Sequence, residues 1–240
     1  MKTIGLLGGM SWESTAEYYR LLNELTRDRL GGLHSARCVL YSVDFAEIEQ
    51  LQAEGRWTEA GEVLAAAAQR LEAAGADLVL ICTNTMHKVA DRVQAGISVP
   101  LLHLADATAD AVKAAGLTRV GLLGTAFTME QEFYRGRLAA GGLEVCVPEA
   151  AGRALVHRVI YEELCQGVVR EESRAAYRRV IKGLVAAGAQ GIILGCTEIE
   201  LLVGAEDSPV PVFPTARLHA EAAVEAALSA PRPGAPAARS

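Results

Sequence analysis

No two of the chain's five cysteines stand as a Cys-x-x-Cys pair, and no basic run is longer than a dipeptide. The first absence removes the spacing of a zinc or redox motif. No metal is therefore expected, and with no export signal in view Cys38, Cys82, Cys146, Cys165 and Cys196 read as reduced thiols. The second removes the clustered Lys and Arg that phosphate contacts need. With 23 Lys and Arg against 29 Asp and Glu, the formal net charge is −6, and a nucleic-acid partner is not expected. Long apolar runs are missing too. The longest, Val63–Ala68, falls far short of the ~20 residues that span a membrane. The first residues start a strand at once, without the apolar segment and cleavage site of a secretory signal. The expectation is a cytoplasmic protein with no membrane partner.

What is present is a globular composition: 240 residues, 51% hydrophobic and 22% charged, with 23 Gly and 8 Pro. At ~150 residues per domain that means one large domain or two small ones. Internal repetition favours two. Gly5-Leu6-Leu7-Gly8 returns as Gly121-Leu122-Leu123-Gly124, Ala73-Ala74-Gly75-Ala76 as Ala186-Ala187-Gly188-Ala189, and Val99-Pro100 as Val210-Pro211. Three markers in one order, at slowly drifting offsets, indicate two similar halves. Residues 1–103 form the first, with a C-terminal helix over 214–229 expected to pack back on it, and 104–213 form the second. The Pro/Ala/Arg-rich tail over 231–240 is expected to be disordered.

Each half alternates short apolar strands with amphipathic helices. Lys2–Leu7, Cys38–Val43, Leu78–Ile81 and Ile97–Leu102 read as strands, as do Val120–Leu123, Leu143–Val147, Ile192–Leu194 and Val210–Phe213. Ser11 suits the N-cap of a helix with Tyr18, Leu22 and Leu25 on one face. Thr58 suits the cap of another, whose Leu64, Ala67, Ala68 and Leu71 keep helical spacing and which ends at Gly75. The second half adds a helix from about Met129 and one through Tyr177, Ile181 and Leu184. Continuous apolar strands alternating with helices predict an α/β fold, two doubly wound parallel sheets related by a pseudo-twofold axis. Ligands of such sheets bind beyond the carboxyl ends of the strands, here in the cleft between the halves.

Aligning the halves without gaps from the Ala-Ala-Gly-Ala marker lays Leu78–Thr85 over Gly191–Glu198, so that Thr83 matches Cys196 and Cys82 matches Gly195. Each strand ends in a turn bearing hydroxyl or thiol groups, with backbone N–H groups able to hold a carboxylate. Two such turns facing each other would put one proton-transferring group on each face of a small molecule. A cysteine near a helix N-terminus has a lowered pKa and can take a Cα proton. A threonine hydroxyl is a plausible donor and a poor base. Cys38, Cys146 and Cys165 read as ordinary core thiols, and Cys82 as readily a wall of the core as a participant. Gly5–Gly9 does not fit a dinucleotide loop, and Asp44 follows too late for its ribose acid. His34, His87, His103, His157 and His219 are not spaced as a metal set and read as solvated or capping residues, and a Cys196–His219 hydrolase dyad has no motif behind it.

Gly5-Leu6-Leu7-Gly8-Gly9-Met10-Ser11, Cys82-Thr83-Asn84-Thr85-Met86-His87-Lys88 and Gly195-Cys196-Thr197-Glu198 together resemble the aspartate/glutamate racemase family, from residue 2 to about residue 228. The resemblance implies an amino-acid racemase that needs no pyridoxal phosphate or metal, with two α/β domains, a homodimeric state and a site in the cleft between them. It implies catalytic positions at Thr83, where the family usually has cysteine, and at Cys196. It also implies Asn84, Thr85 and Thr197 as partners of the α-amino and α-carboxylate groups. Met10, Gln52, Thr125 and Glu163 would line the substrate pocket. Aspartate-specific members tend to carry Arg and Lys near the Gln52 and Glu163 positions, and glutamate racemases have His where Glu198 stands. These departures argue against tight recognition of an acidic side chain, and they leave Glu198 as a further substrate-binding candidate. Two rivals remain open: a Cys-dependent isomerase or decarboxylase of small dicarboxylates, and a non-catalytic amino-acid-binding relative.

Overall fold

The structure, a computed structural model, describes residues 1–229. The tail expected to be disordered lies outside the described residues. The first half runs β1 (Ile4–Gly8), α1 (Trp12–Leu30), β2 (Cys38–Ser42), α2 (Phe45–Ala53), α3 (Trp57–Ala73), β3 (Leu78–Ile81), α4 (Ala90–Ala95) and β4 (Leu101–Leu102). The second runs α5 (Leu104–Ala114), β5 (Arg119–Gly124), α6 (Ala126–Glu130), α7 (Glu132–Ala140), β6 (Glu144–Cys146), α8 (Ala150–Glu162), α9 (Glu171–Ala186), β7 (Gly191–Gly195), β8 (Val212–Pro214) and α10 (Thr215–Leu228). All pairings are parallel, in the orders β2-β1-β3-β4 and β6-β5-β7-β8, so the repeated Gly-Leu-Leu-Gly segments are equivalent central strands.

These strands are apolar throughout because helices cover both faces of each sheet. β1, β3 and β7 are buried at every residue. One face of the first sheet packs Leu7, Val79 and Ile81 under Leu64, Ala67 and Leu71 of α3. The other packs Ile4, Leu6 and Leu80 against Tyr18 and Leu22 of α1 and Ala216, Ala220 and Ala223 of α10. Each buried aliphatic side chain contributes ~1.5–3 kcal/mol, and the small α10 residues let the helix lie close. In the second half, Leu123, Ile192 and Leu194 pack beneath α8 and α9.

Ser11 caps α1, its side chain accepting from the Ser14 N–H at 3.3 Å. Gly75 and Gly188 take equivalent positive-φ positions, +93° and +97°, beyond α3 and α9. Three local expectations are corrected. α3 starts one residue before Thr58, after Arg56, and has no side-chain cap. The Ile97–Leu102 strand shrinks to Leu101–Leu102, because Gln94 side-chain groups take the Ile97 and Val99 carbonyls and the Leu101 N–H. The helix near Met129 is two helices broken at Gln131, whose φ, ψ of −97°, 150° is extended.

Three histidines sit buried where the halves meet, with ring centroids 4.5 Å apart for His87–His103 and 5.7 Å for His87–His219. His103 caps α5 through Nδ1 and His87 takes the first α5 amide from outside the helix, whereas His219 is neither solvated nor a cap. His87 Nδ1–H donates to the Thr83 carbonyl and Nε2 accepts from the Leu104 N–H. His219 Nε2–H donates to the Leu102 carbonyl and Nδ1 accepts from the Tyr18 hydroxyl. Protonation would break each accepted bond and bury a charge. Burial lowers all three pKa values, those of His103 and His219 to about 4, and neighbouring cationic groups add to the fall for His87 and His103. In the unfolded chain they titrate near 6.5. The unfolded state therefore binds more protons between those values, and stability present above pH 6.5 is lost as pH falls toward 4, by roughly 3 kcal/mol for each of His103 and His219. The urea midpoint should fall steeply between pH 6.5 and 4.5. A flat profile would refute this account of the trio.

Candidate active site

β3 and β7 end side by side in function though not in the same sheet: each gives way to a short 3-10 turn, Thr85–Val89 and Thr197–Leu201, with no side chain capping its amides. A small cavity of about 40 Å³ lies between these turns. One water needs ~10–15 Å³, so the space suits the polar end of a small molecule. The first half contributes Met10, Gln52, Thr83, Asn84 and Thr85, and the second Thr125, Cys196, Thr197 and Glu198. Glycines allow the close approach. A Cβ on Gly9, at φ +90°, would stand 2.2 Å from the Val43 carbonyl, and one on Gly195 would stand 2.8 Å from that of Leu123.

Cys196 is not the thiolate that its place before a helical turn predicted. Its Sγ–H donates to Glu198 Oε2 at 2.8 Å, and Glu198 Oε1 accepts from the Ser11 hydroxyl at 2.9 Å. Burial pushes the thiol pKa well above the ordinary range, and the charge and hydrogen bond of Glu198 add to the rise, while the Glu198 backbone N–H works the other way. Glu198, expected to bind substrate, is thus the carboxylate partner of the thiol. Facing this pair from the first half, the Thr83 hydroxyl has no hydrogen-bond partner among the described residues, and Thr83 is half-buried. Thr85 and Thr125 share a hydroxyl contact of 3.2 Å across the cleft.

Asn84 is 4% exposed. Its Nδ2 donates to the Thr215 hydroxyl at 3.1 Å, and its Oδ1 is buried without a partner among the described residues. Such an orphan acceptor is costly and calls for a donor from a ligand. Gln52 spends its Nε2–H on the weak acceptor Met86 Sδ.

Glu163 does not line the cavity. It is buried and accepts from the Ser173 hydroxyl at 2.7 Å, while its neighbours Ile160, Tyr161 and Cys165 form the wall. Cys165 is therefore not an ordinary core thiol. Burial raises its pKa to about 12, and the Glu198 and Glu13 charges add to it. Cys82 is fully buried among Ile4, Leu6 and Leu80 and stays out of the cavity. The hydrolase dyad is excluded, since both ring nitrogens of His219 serve Tyr18 and Leu102. Sequence reasoning also missed Ser11, Phe45 and Tyr161. Among the described residues no cluster of His, Cys, Asp or Glu could hold a metal, and no helix is long and apolar enough to cross a membrane.

A model of the family described as Asp/Glu/Hydantoin racemase matches residues 7–223. The crystal structure of a candidate Asp/Glu racemase from Yersinia pestis is 59% identical, covering 95% of this chain and 100% of that one, with a TM-score of 0.91. That of an aspartate racemase homologue from Pyrococcus horikoshii OT3 is 36% identical over 95% and 100% of the two chains, with a TM-score of 0.85. The broad specificity amino-acid racemase RacX of Bacillus subtilis (strain 168) is 22% identical over 94% of this chain and 98% of its own.

Proposed function

The chain belongs to the Asp/Glu/Hydantoin racemase family, and from that membership we propose that it racemises amino acids with neutral side chains, without a cofactor, by 1,1-proton transfer at Cα between Cys196 and Thr83. The observation that carries this reading is the meeting, in one buried cleft, of a thiol bonded to a carboxylate from one half and a free hydroxyl from the other. Glu198 takes the Cys196 proton, and the resulting thiolate removes the Cα proton from one face. Thr83, or a water it holds, delivers a proton to the opposite face and is resupplied from solvent, while Glu198 releases its proton to solvent to reset the pair. The free turn amides and the Thr85 and Thr125 hydroxyls stabilise the enolate charge that develops on the carboxylate. The cavity wall has no lysine to carry pyridoxal phosphate as a Schiff base.

The side-chain class follows from charge. The wall contains no Lys, Arg or His, and its one carboxylate is Glu198. An acidic side chain, as in the names of the Yersinia and Pyrococcus relatives, would meet that carboxylate with no cation to offset it. Phe45, Ile160, Met10 and the Gln52 amide suit an aliphatic, thioether or hydroxyl group, and the broad specificity in the Bacillus relative's name points the same way.

The test is loss of the Cα–H signal by proton NMR in D₂O, across L- and D-alanine, 2-aminobutyrate, serine, methionine, aspartate and glutamate. Exchange should favour the neutral members over the acids by at least about tenfold. Binding without exchange anywhere on the panel would leave only an amino-acid binder, and preference for the acids would overturn the neutral class.

A further inference from the structure

Two buried hydroxyls away from the reacting groups decide which polar atoms the cleft offers a ligand. Thr215, the first residue of α10, is fully buried and donates its single proton to the Leu194 carbonyl at 2.9 Å. A hydroxyl with its proton spent can only accept. The 3.1 Å contact with Asn84 must therefore be donated by Nδ2. Thr215 thus sets the amide's orientation and leaves Oδ1 of this cavity-lining residue buried and unpartnered among the described residues.

Ser14 does the same from the other side. Its hydroxyl donates to the Cys82 carbonyl at 2.9 Å, so its 2.9 Å contact with Thr197 must be donated by Thr197 Oγ1. Thr197, which also lines the cavity, can then only accept from a ligand. Both hydroxyls also tie the halves together. Thr215 links Asn84 in the first to Leu194 in the second, and Ser14 links Cys82 to Thr197.

We propose that Thr215 and Ser14 are positioning residues that fix Asn84 Oδ1 and Thr197 Oγ1 as acceptors, making the cleft selective for a ligand with an N–H donor, the α-ammonium of an amino acid, over the same carbon skeleton without it. This rests on the amino-acid reading of the site. An ammonium fills both acceptors, whereas a des-amino acid leaves them dry and unpaired, the situation in which polar sites discriminate most strongly. With valine at 215 the amide loses the partner that holds it, and its Nδ2 can turn to the cavity, where it repels an ammonium and tolerates the analogue. Serine at 215 keeps both the proton and the acceptor.

The experiment compares L-2-aminobutyrate with butyrate by NMR titration in the wild type, Thr215→Val, Thr215→Ser and Ser14→Ala. The wild type should prefer the amino acid by at least about tenfold. That ratio should fall at least about fivefold in Thr215→Val and in Ser14→Ala, chiefly through weaker aminobutyrate binding, and survive in Thr215→Ser. A purely structural role would weaken both ligands together and leave the ratio intact, and that result overturns the proposal. So does a wild type that binds the two ligands alike. A wild type that binds neither ligand overturns the amino-acid reading and this proposal with it. If Thr215→Val fails to fold, Ser14→Ala and Thr215→Ser decide.

Discussion

Cys196→Ala should abolish Cα–H exchange in D₂O, lowering the rate by on the order of 10³-fold or more while amino-acid binding persists. A positioned proton-transfer group contributes ~10²–10⁴-fold, and no other thiol is placed to stand in. Cys165 lines the same cavity, and burial and the nearby glutamates hold its thiol at about 12, but no carboxylate accepts its proton as Glu198 accepts that of Cys196. Cys82 lies outside the cavity among aliphatic side chains. The Thr83 hydroxyl is a far weaker acid than a thiol and cannot serve as the base for both faces. The same asymmetry makes turnover in the wild type depend on which enantiomer is supplied, because one direction starts from a thiolate and the other from a hydroxyl. It cannot bias the end point. Enantiomers have equal free energy, so progress curves from L and from D must converge on a 1:1 mixture, and kcat/KM must match in the two directions. Exchange in Cys196→Ala within about tenfold of wild type would remove the thiol from the mechanism.

Much of this architecture is legible in the chain because it is local or repeated. Gly-Leu-Leu-Gly marks the central strand of each sheet, and apolar runs buried on both faces cannot be surface strands. The ungapped alignment of the halves places Thr83 opposite Cys196, and both line one cavity. What was illegible depends on distance or on single bonds. Asp44, weighed as a ribose partner, is the N-cap of α2, accepting from the Ala46 N–H. Glu163 and Cys165 are two residues apart around the Leu164–Gln166 3-10 turn, and only the turn decides that the thiol faces the cleft while the carboxylate faces Ser173. Ser14 meets a partner 183 residues away and Thr215 one 131 residues away, which no spacing rule in either neighbourhood can show. The state of Cys196 was misread for a related reason. Its turn is too short to supply a strong dipole, and the carboxylate two residues on outweighs it.

That carboxylate yields the second large effect, in which two readouts should move in opposite directions. Glu198→Gln removes the charge that helps hold the Cys196 thiol up and leaves only a neutral amide acceptor, so the thiol pKa falls, though burial still keeps it raised. The thiolate fraction at a given pH rises, and alkylation of Cys196 by iodoacetamide, followed by peptide mass spectrometry, should become faster. Catalysis should nevertheless drop by ~10²–10⁴-fold at pH 7. In the wild type the thiol proton moves 2.8 Å to Glu198 Oε2 as the site engages its substrate. A glutamine amide cannot take it, so the variant depends on the few molecules already ionised by solvent. Its exchange rate should therefore climb about tenfold per pH unit below the thiol pKa, where the wild type, with an internal acceptor, is flatter. If Glu198 merely shaped the pocket, Glu198→Gln would change KM and leave the pH profile unmoved. Faster alkylation with exchange kept within about threefold would show that Cys196 loses its proton without the carboxylate.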